Sequence, residues 1–380
     1  MEKNTKFILL AVLFLSFRLR VSGQKAEFHG EAVTWISFDY VDGFAVQPGI
    51  RYIPQVLFDI PLKNKLAIDG ELSADSYVNY AFLPDTDNIF DSGAAFYRSW
   101  IRLAGDRFEI RAGLQKINFG SASMLRPLMW FDRIDPRDPL KITKGVIGLQ
   151  GKYYFQNNAN IWLWFLYGNK GTKGWEIVPS ETGRPEVGGR IQLPVPKGEI
   201  ALTYHNRRGE FPGDWEPSEY AGVTFPENRF GLDFKLDLGP GLWFEASVIH
   251  QKQSAIPPFT KAVTAGADYT IGIGNGLTLT AEHMLYSSSG NLFSKGNGLS
   301  FTGLSARLPV TIITSLSTIV FYDWKNNEFY RFANCSFTFD NYAVNLIGFW
   351  NPDSFSIFNY GTGPNLFSGP GGQVMLVYNY

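Results

Sequence analysis

Arg229-Phe230-Gly231-Leu232-Asp233-Phe234-Lys235-Leu236-Asp237-Leu238 decides how this chain is read. Every even position is large and apolar, and every odd position is charged or glycine. Strand side chains alternate between two faces, so this stretch is a strand with one apolar and one polar face. A helix would scatter the same apolar residues around its circumference. The alternation recurs over Arg51 to Ile60, Lys65 to Tyr80, Arg107 to Gln115, Gly198 to His205, Leu277 to Tyr286 and Glu328 to Asp340. No comparable helical periodicity occurs beyond the N-terminal segment, and an all-β fold follows.

The 380 residues are 45% hydrophobic, 16% aromatic and 18% charged, with a formal net charge of -1. Disorder requires low hydrophobicity and high net charge, and a nucleic-acid binder requires basic excess; both are excluded. The single cysteine, Cys335, forms no intrachain disulfide and no CxxC site. Outside the strand pattern lies one long apolar run, Phe7 to Phe17, preceded by Lys3 and Lys6. As a helix it would rise ~16 Å, about half of a ~30 Å hydrocarbon core. With the small residues Val21-Ser22-Gly23 after it, it reads as a signal peptide over residues 1–23, leaving residues 24–380 as the mature chain. Nothing later holds ~18 uninterrupted apolar residues, so helical membrane spans are excluded.

Short and long connections alternate along the chain. Tight turns fall at 62–64, 105–106, 156–158, 196–198, 239–241, 274–276, 308–310 and 340–341, most carrying Gly, Asn, Asp or Pro. Longer polar loops cover 41–49, 81–94, 117–143, 168–186, 206–228, 252–261, 287–298, 323–328 and 351–371. These connections predict ~18 antiparallel strands (16 to 18) of about 9 to 11 residues, the length of a tilted strand crossing a bilayer. Short turns on one side and long loops on the other describe a transmembrane up-and-down β-barrel. Tyr40, Trp100, Tyr153, Tyr167, Tyr204, Trp243, Tyr269 and Trp350 sit near strand ends, where interfacial girdles form. A secreted all-β sandwich or propeller shares the alternation but not this loop asymmetry.

On this architecture the chain resembles the Gram-negative outer-membrane porins, and its last strand supports the resemblance. Val374, Leu376, Tyr378 and Tyr380 alternate on one face and the chain stops on an aromatic, similar to the C-terminal signal read by the barrel-assembly machinery. The family signal most often ends in Phe, so Tyr380 is a departure. The resemblance implies an outer-membrane location, a lipid-facing exterior and passage of small polar solutes or ions, with a homotrimer as one possible assembly. Apolar positions then face lipid and polar ones face the lumen, placing Arg98, Arg102, Glu109 and Arg111 on its wall with Arg51, Lys65, Asp75, Arg107, Asp233 and Glu245. Barrels of about 16 to 18 strands enclose water unless plugged.

The third long loop, 117–143, is the most informative. Its mixed charges alternate with rigid prolines and with the bulky cluster Met129-Trp130-Phe131. In the porins it resembles, this loop folds into the lumen. Carried over, Arg126, Asp132, Arg133, Asp135, Arg137, Asp138 and Lys141 would meet Arg98, Arg102 and Arg111 at a constriction whose field filters solutes. Trp130 and Phe131 offer instead a slide for sugars, and the blander reading folds the loop over the barrel mouth. Loss of Arg133 and Arg137 is expected to favour cations.

Enzymatic readings are weak. His29, His205, His250 and His283 lie on separate strands without metal-ligand spacing. Glu282 and His283 are adjacent and point to opposite faces. Gly272, Gly274 and Gly276 precede a strand, so no helix N-terminus awaits phosphate. No cofactor or chemical step is implied. The rival of another class is a surface binding or adhesion barrel acting through Asn169 to Glu186 and Arg207 to Asn228.

Overall fold

The computed structural model describes residues 25–41, 43–84, 87–353 and 367–380; the proposed signal peptide lies outside them. Strand β10 (Thr224–Asp237) turns Glu227, Arg229 and Asp233 into a buried interior while Phe230 faces outward, 54% exposed. The chain is thus polar inside and apolar outside.

The same polarity governs β1 (Lys25–Tyr40), β2 (Phe44–Pro61), β3 (Ala67–Ala81), β4 (Ile89–Ala104), β5 (Phe108–Gln115), β6 (Val146–Tyr154), β7 (Asn160–Leu166), β8 (Glu186–Val195) and β9 (Gly198–Glu210). It continues through β11 (Gly241–Gln251), β12 (Phe259–Ile271), β13 (Leu277–Ser289), β14 (Asn297–Pro309), β15 (Thr314–Asp323), β16 (Glu328–Thr338), β17 (Tyr342–Trp350) and β18 (Pro370–Asn379). Each strand pairs antiparallel with its chain neighbours, and β1 pairs with β18 from Glu31–Asn379 to Asp39–Gly371. The 18-stranded sheet therefore closes on itself, so that every strand has a paired neighbour on each side in a wall that lipid cannot hydrate.

Connections fall at or next to the predicted places, and most of the predicted loop 351–371 lies outside the described residues. Asn64, Lys65, Asn158 and Lys197 adopt positive φ (58°, 60°, 65° and 61°), the left-handed conformation that tight hairpin turns use. Lengths differ from expectation, because strands of 7 to 18 residues absorb parts of the predicted loops. The first loop shrinks from 41–49 to residues 41–43, since β2 pairs with β1 from Phe44 onward. Pro48-Gly49 reads as a turn in sequence, yet Gly49 is needed within the strand: the Trp35 indole lies where its Cβ would be. The turn placed at 308–310 falls after Pro309.

Two inward assignments change. Lys65 lies in a turn, 3.0 Å from Asp106 of the neighbouring turn, and Arg107 is exposed at the foot of β5. Two girdle assignments also change, because Trp100 and Trp243 point inward and donate to Glu71 and Glu282. Tyr40, Tyr153, Tyr167, Tyr204, Tyr269 and Trp350 are exposed on the outer face.

In the last strand, Val374, Leu376 and Tyr378 face outward, while Met375 and Val377 face inward with Val33 and Trp35. Tyr380 and Gly30 exchange backbone hydrogen bonds at 3.2 Å, and the Tyr380 hydroxyl lies 2.5 Å from that of Tyr52. Deleting Tyr378 to Tyr380 removes these bonds and the stacked Tyr52–Tyr380 and Tyr378–Tyr380 pairs, each group worth ~0.5–1.5 kcal/mol. The expected outcome is a lower refolded yield in detergent and earlier loss of the compact, heat-resistant form on gels. Unchanged yield and thermal stability would contradict a role in closure.

Candidate functional site: the lumen and its inserted loops

After Gln115 the chain leaves the wall and runs through the lumen until β6 begins at Val146. Its apolar residues from Ile117 to Phe131 are buried against the inner wall. Ile117, Phe119, Leu128, Trp130 and Phe131 pack with Val146, Trp164 and Leu166 near their own root. Met124 and Leu125 pack with Met284, Phe301, Phe321, Tyr330, Phe332, Ile347 and Phe349 of β13 to β17. Leu140 packs on Val33, Trp35, Met375 and Val377 of β1 and β18.

Two buried carboxylates fix the far end. Glu282 accepts hydrogen bonds from the backbone N–H groups of Ser123, Met124 and Leu125 at 2.6, 2.9 and 2.6 Å. Glu245 accepts from Ala122 N–H at 2.7 Å, and the Thr264 hydroxyl donates to Leu125 O at 2.8 Å. The Trp130 indole N–H donates to Ser247 Oγ at 3.0 Å. A turn that gathers several N–H groups in one place binds an anion, and here the anion is a side chain of the opposite wall.

A second loop, residues 167–185, sits on the first. Arg133 donates to Gly174 O at 3.0 Å and to Thr172 Oγ1 at 2.7 Å, and the Trp175 indole donates to Arg126 O at 2.8 Å. Lys173 pairs with Glu186 at 2.9 Å, whose other oxygen lies 3.1 Å from His205 Nε2. Arg229 bridges Glu176 and Glu227, each at 2.7 Å, and Arg207 pairs with Glu227 at 2.6 Å. Burial opposes ionisation of Glu176, but Arg207, Lys173 and Arg229 hold its carboxyl below the ordinary carboxylate range. Lys173, Glu176, Ser180 and Glu186 are therefore buried, and this part of the loop is not a surface for an outside partner.

Among the described residues, the inserted loops fill one side of the lumen and leave the other open. A cavity of about 1410 Å³ remains between the loops and the wall of β1 to β4 and β18. Trp35, Arg51, Asp75, Tyr77, Asn79 and Asp91 line it from the wall, and Asp132, Arg133, Asp135 and Asp138 line it from the first loop.

The sequence-predicted residues divide accordingly. Arg126 is buried, donating to Asp132 at 2.8 Å and to Asn118 at 2.9 Å. Arg137 is buried in a two-bond pair with Asp135 and lies over the Phe332 and Phe367 rings. Lys141 is exposed. Asp138 accepts from Leu140 and Ile142 N–H, and burial, with Asp135 nearby, pushes its carboxyl above the ordinary range. Of the wall arginines, Arg98 reaches the loop, donating to Thr143 O at 3.0 Å. Arg102 pairs with Asp69 and Glu109 at 2.7 and 2.8 Å, and Arg111 lies 4.3 Å from the Trp100 ring centroid. Trp130 and Phe131, 1% and 3% exposed, belong to the core and present no slide for sugars.

Sequence reasoning missed Glu282 as an anchor and Lys116. The Lys116 ammonium is exposed beside the loop root; desolvation, with Arg126, Arg98 and Lys141 nearby, pushes it below its ordinary value, although Asp132 opposes this.

No protein-family model matches the chain. No curated protein matches it. Solved structures match nearly its whole length. OccK7 (OpdD) of Pseudomonas aeruginosa superposes with a TM-score of 0.57 at 10% identity, covering 95% of this chain and 99% of that one. OccAB1 of Acinetobacter baumannii gives 0.55 at 9% identity, over 94% and 96%. An anion-selective porin from Comamonas acidovorans gives 0.52 at 12% identity, over 94% and 100%. The fold is that of the outer-membrane porin barrels.

Replacing Glu282 with Ala leaves the buried N–H groups of Met124 and Leu125 and the part-buried one of Ser123 without an acceptor, at ~1–3 kcal/mol for each buried group before relaxation. Amide exchange at Ser123 to Leu125 is expected to accelerate at least about ten-fold, the equivalent of ~1.4 kcal/mol, while exchange in β1 and β18 stays unchanged. Unaltered protection at those three amides would contradict the anchoring role.

Proposed function

We propose that this chain is a passive diffusion channel of the Gram-negative outer membrane, exported by a signal peptide over residues 1–23 and inserted as a single barrel of residues 24–380. Small hydrophilic solutes and ions move down their gradient, with no cofactor and no chemical step. The observation that carries the reading is the cavity of about 1410 Å³, lined by charged side chains, inside a closed barrel whose outer face is apolar. Water fills such a space and lipid does not.

In this reading the first inserted loop narrows the path. Arg126 and Arg137 hold the loop's shape through Asp132 and Asp135, and Asp132, Arg133, Asp135 and Asp138 border the passing solute with Arg51 on the wall, while Arg98 braces the loop at Thr143. Downstream, Arg102, Glu109 and Arg111 line the periplasmic half. Val374, Leu376, Tyr378 and Tyr380 serve as the signal for the barrel-assembly machinery.

The reading extends to selectivity. Carboxylates beside the path are largely engaged: Asp132 with Arg126, Asp135 with Arg137, Asp75 with Arg51 at 3.1 Å, Glu71 with Trp100 and Ser73. Lys116, Lys141 and Lys144 are exposed and pair with no carboxylate among the described residues. Exposed cations beside neutralised anions favour passage of anions. The anion-selective porin of Comamonas acidovorans, which shares the barrel fold, is in keeping with this.

Single-channel recording of the refolded mature chain tests both levels. Stepwise openings with a reversal potential on the anion side are expected in a KCl gradient. Lys116, Lys141 and Lys144 replaced together by Gln should move it toward cations. Silence from an inserted barrel would overturn the channel, and an unmoved potential would overturn the selectivity. The Asp138 charge is present above its raised value and lost as pH falls through it, so anion preference should grow on acidification before ordinary carboxylates titrate. Asp138→Asn should remove that part of the pH dependence.

A further inference from the structure

The barrel wall is not equally high all round. β2, β3 and β4 have 18, 15 and 16 residues, whereas β5, β6 and β7 have 8, 9 and 7. At ~3.3 Å per residue and a tilt of ~40°, seven to nine residues rise about 18–23 Å, short of the ~25 Å apolar band of such barrels. β4 pairs with β5 only from Ser99 to Ala104. Its outer half, Ile89 to Arg98, has β3 on one side and, among the described residues, no backbone partner on the other.

The gap exists because the chain after Gln115 enters the lumen instead of completing the wall. Its floor is Lys144 to Ile147 and its far side Gly168 to Gly171, where Asn169 bonds the backbone of Ile147. Residues of both wall faces meet here: the cavity is lined by inward Asp75 and Asp91 and also by outward Leu114 and Ile147. An unpaired backbone edge at membrane depth is tolerated where it lines water. The lumen therefore reaches the outer surface of the barrel at this notch. Lys144 and Lys170 stand exposed at its lips without a carboxylate partner among the described residues, and Phe90, Phe96, Ile147 and Leu149 surround it on the lipid side.

We propose that the notch between β4 and β6 is a lateral portal through which single-chain anionic amphiphiles pass between the lumen and the outer leaflet. The acidic head stays in water near Lys144 and Lys170, and the tail follows the apolar side chains outside. The proposal rests on the channel reading for its driving path, and its test separates the two.

Decanoate is the probe and acetate, with the same head and no tail, the control. Gly171 lines the cavity, and a Cβ built on it meets nothing within 4 Å, so Gly171→Trp narrows the portal without disturbing the fold. In planar bilayers decanoate is expected to block the wild-type KCl current at concentrations where acetate does not. Gly171→Trp and Lys170→Gln should each weaken the block about ten-fold, read relative to each variant's own KCl current. Unchanged block in both variants overturns the portal, and absence of any KCl current overturns the channel. In that case a photoreactive benzoylphenylalanine at position 144 still decides, in vesicles holding deuterated decanoate. A decanoate adduct supports the portal; an adduct with a second copy of the chain, or none, overturns it.

Discussion

Closure of β1 on β18 is the constraint from which the rest of this structure follows. A wall in lipid must pair its own backbone groups, and a sheet does so without edges only as a ring. Once Glu31 faces Asn379 and Asp39 faces Gly371, strand alternation sends one set of side chains to lipid and confines the other set in a lumen. The polar set then needs partners in that enclosed space, and protein and water are the two available. The molecule uses both, on opposite sides.

On the side of β8 to β13 the partners are protein. Removing Arg207, Arg229 and Arg190 from water singly would be costly, and a buried ion pair repays desolvation only with good geometry and further hydrogen bonds. The inserted loops contribute to that geometry, since Glu176 and Lys173 arrive from residues 167–185 to meet Arg229 and Glu186 of the wall. Glu282 works in the reverse sense: a wall carboxylate gathers loop N–H groups that would otherwise lie buried and unpaired. On the side of β1 to β6 the partners are one another and water, with Arg102 between Asp69 and Glu109 and with Lys116, Lys141 and Lys144 exposed. The difference between the two sides is a difference in dielectric, and only on the second do charges face open space.

The wall was legible in the sequence because its signal is local. Alternation in 229–238 and turn residues such as Asn64, Asn158 and Lys197 are read over two to ten positions, and they place strands and connections correctly. The limits of elements were less legible, since pairing with a neighbour carried β2 through Pro48-Gly49. The unusual third loop announced itself by composition, but its lodging did not: Ala122 meets Glu245 and Ser123 meets Glu282 across 123 and 159 positions, with no local pattern. For the same reason Trp130 and Phe131 read as a surface for sugars, though they belong to a core that includes Val146, Trp164 and Leu166 of the wall. In an inside-out protein an apolar run in a loop signals a second, internal core.

The central claim is that the water path follows one side of the lumen only. The most direct test is thiol modification during current recording, in a Cys335→Ser background, with cysteines placed singly at Glu71 and Asp75 on the open side and at Thr203 and Ser247 on the packed side. A charged thiol reagent is expected to alter the current at the first two positions and leave it unchanged at the last two, whose side chains are buried. Equal modification on both sides, or none at Glu71 and Asp75, would contradict the half-filled lumen.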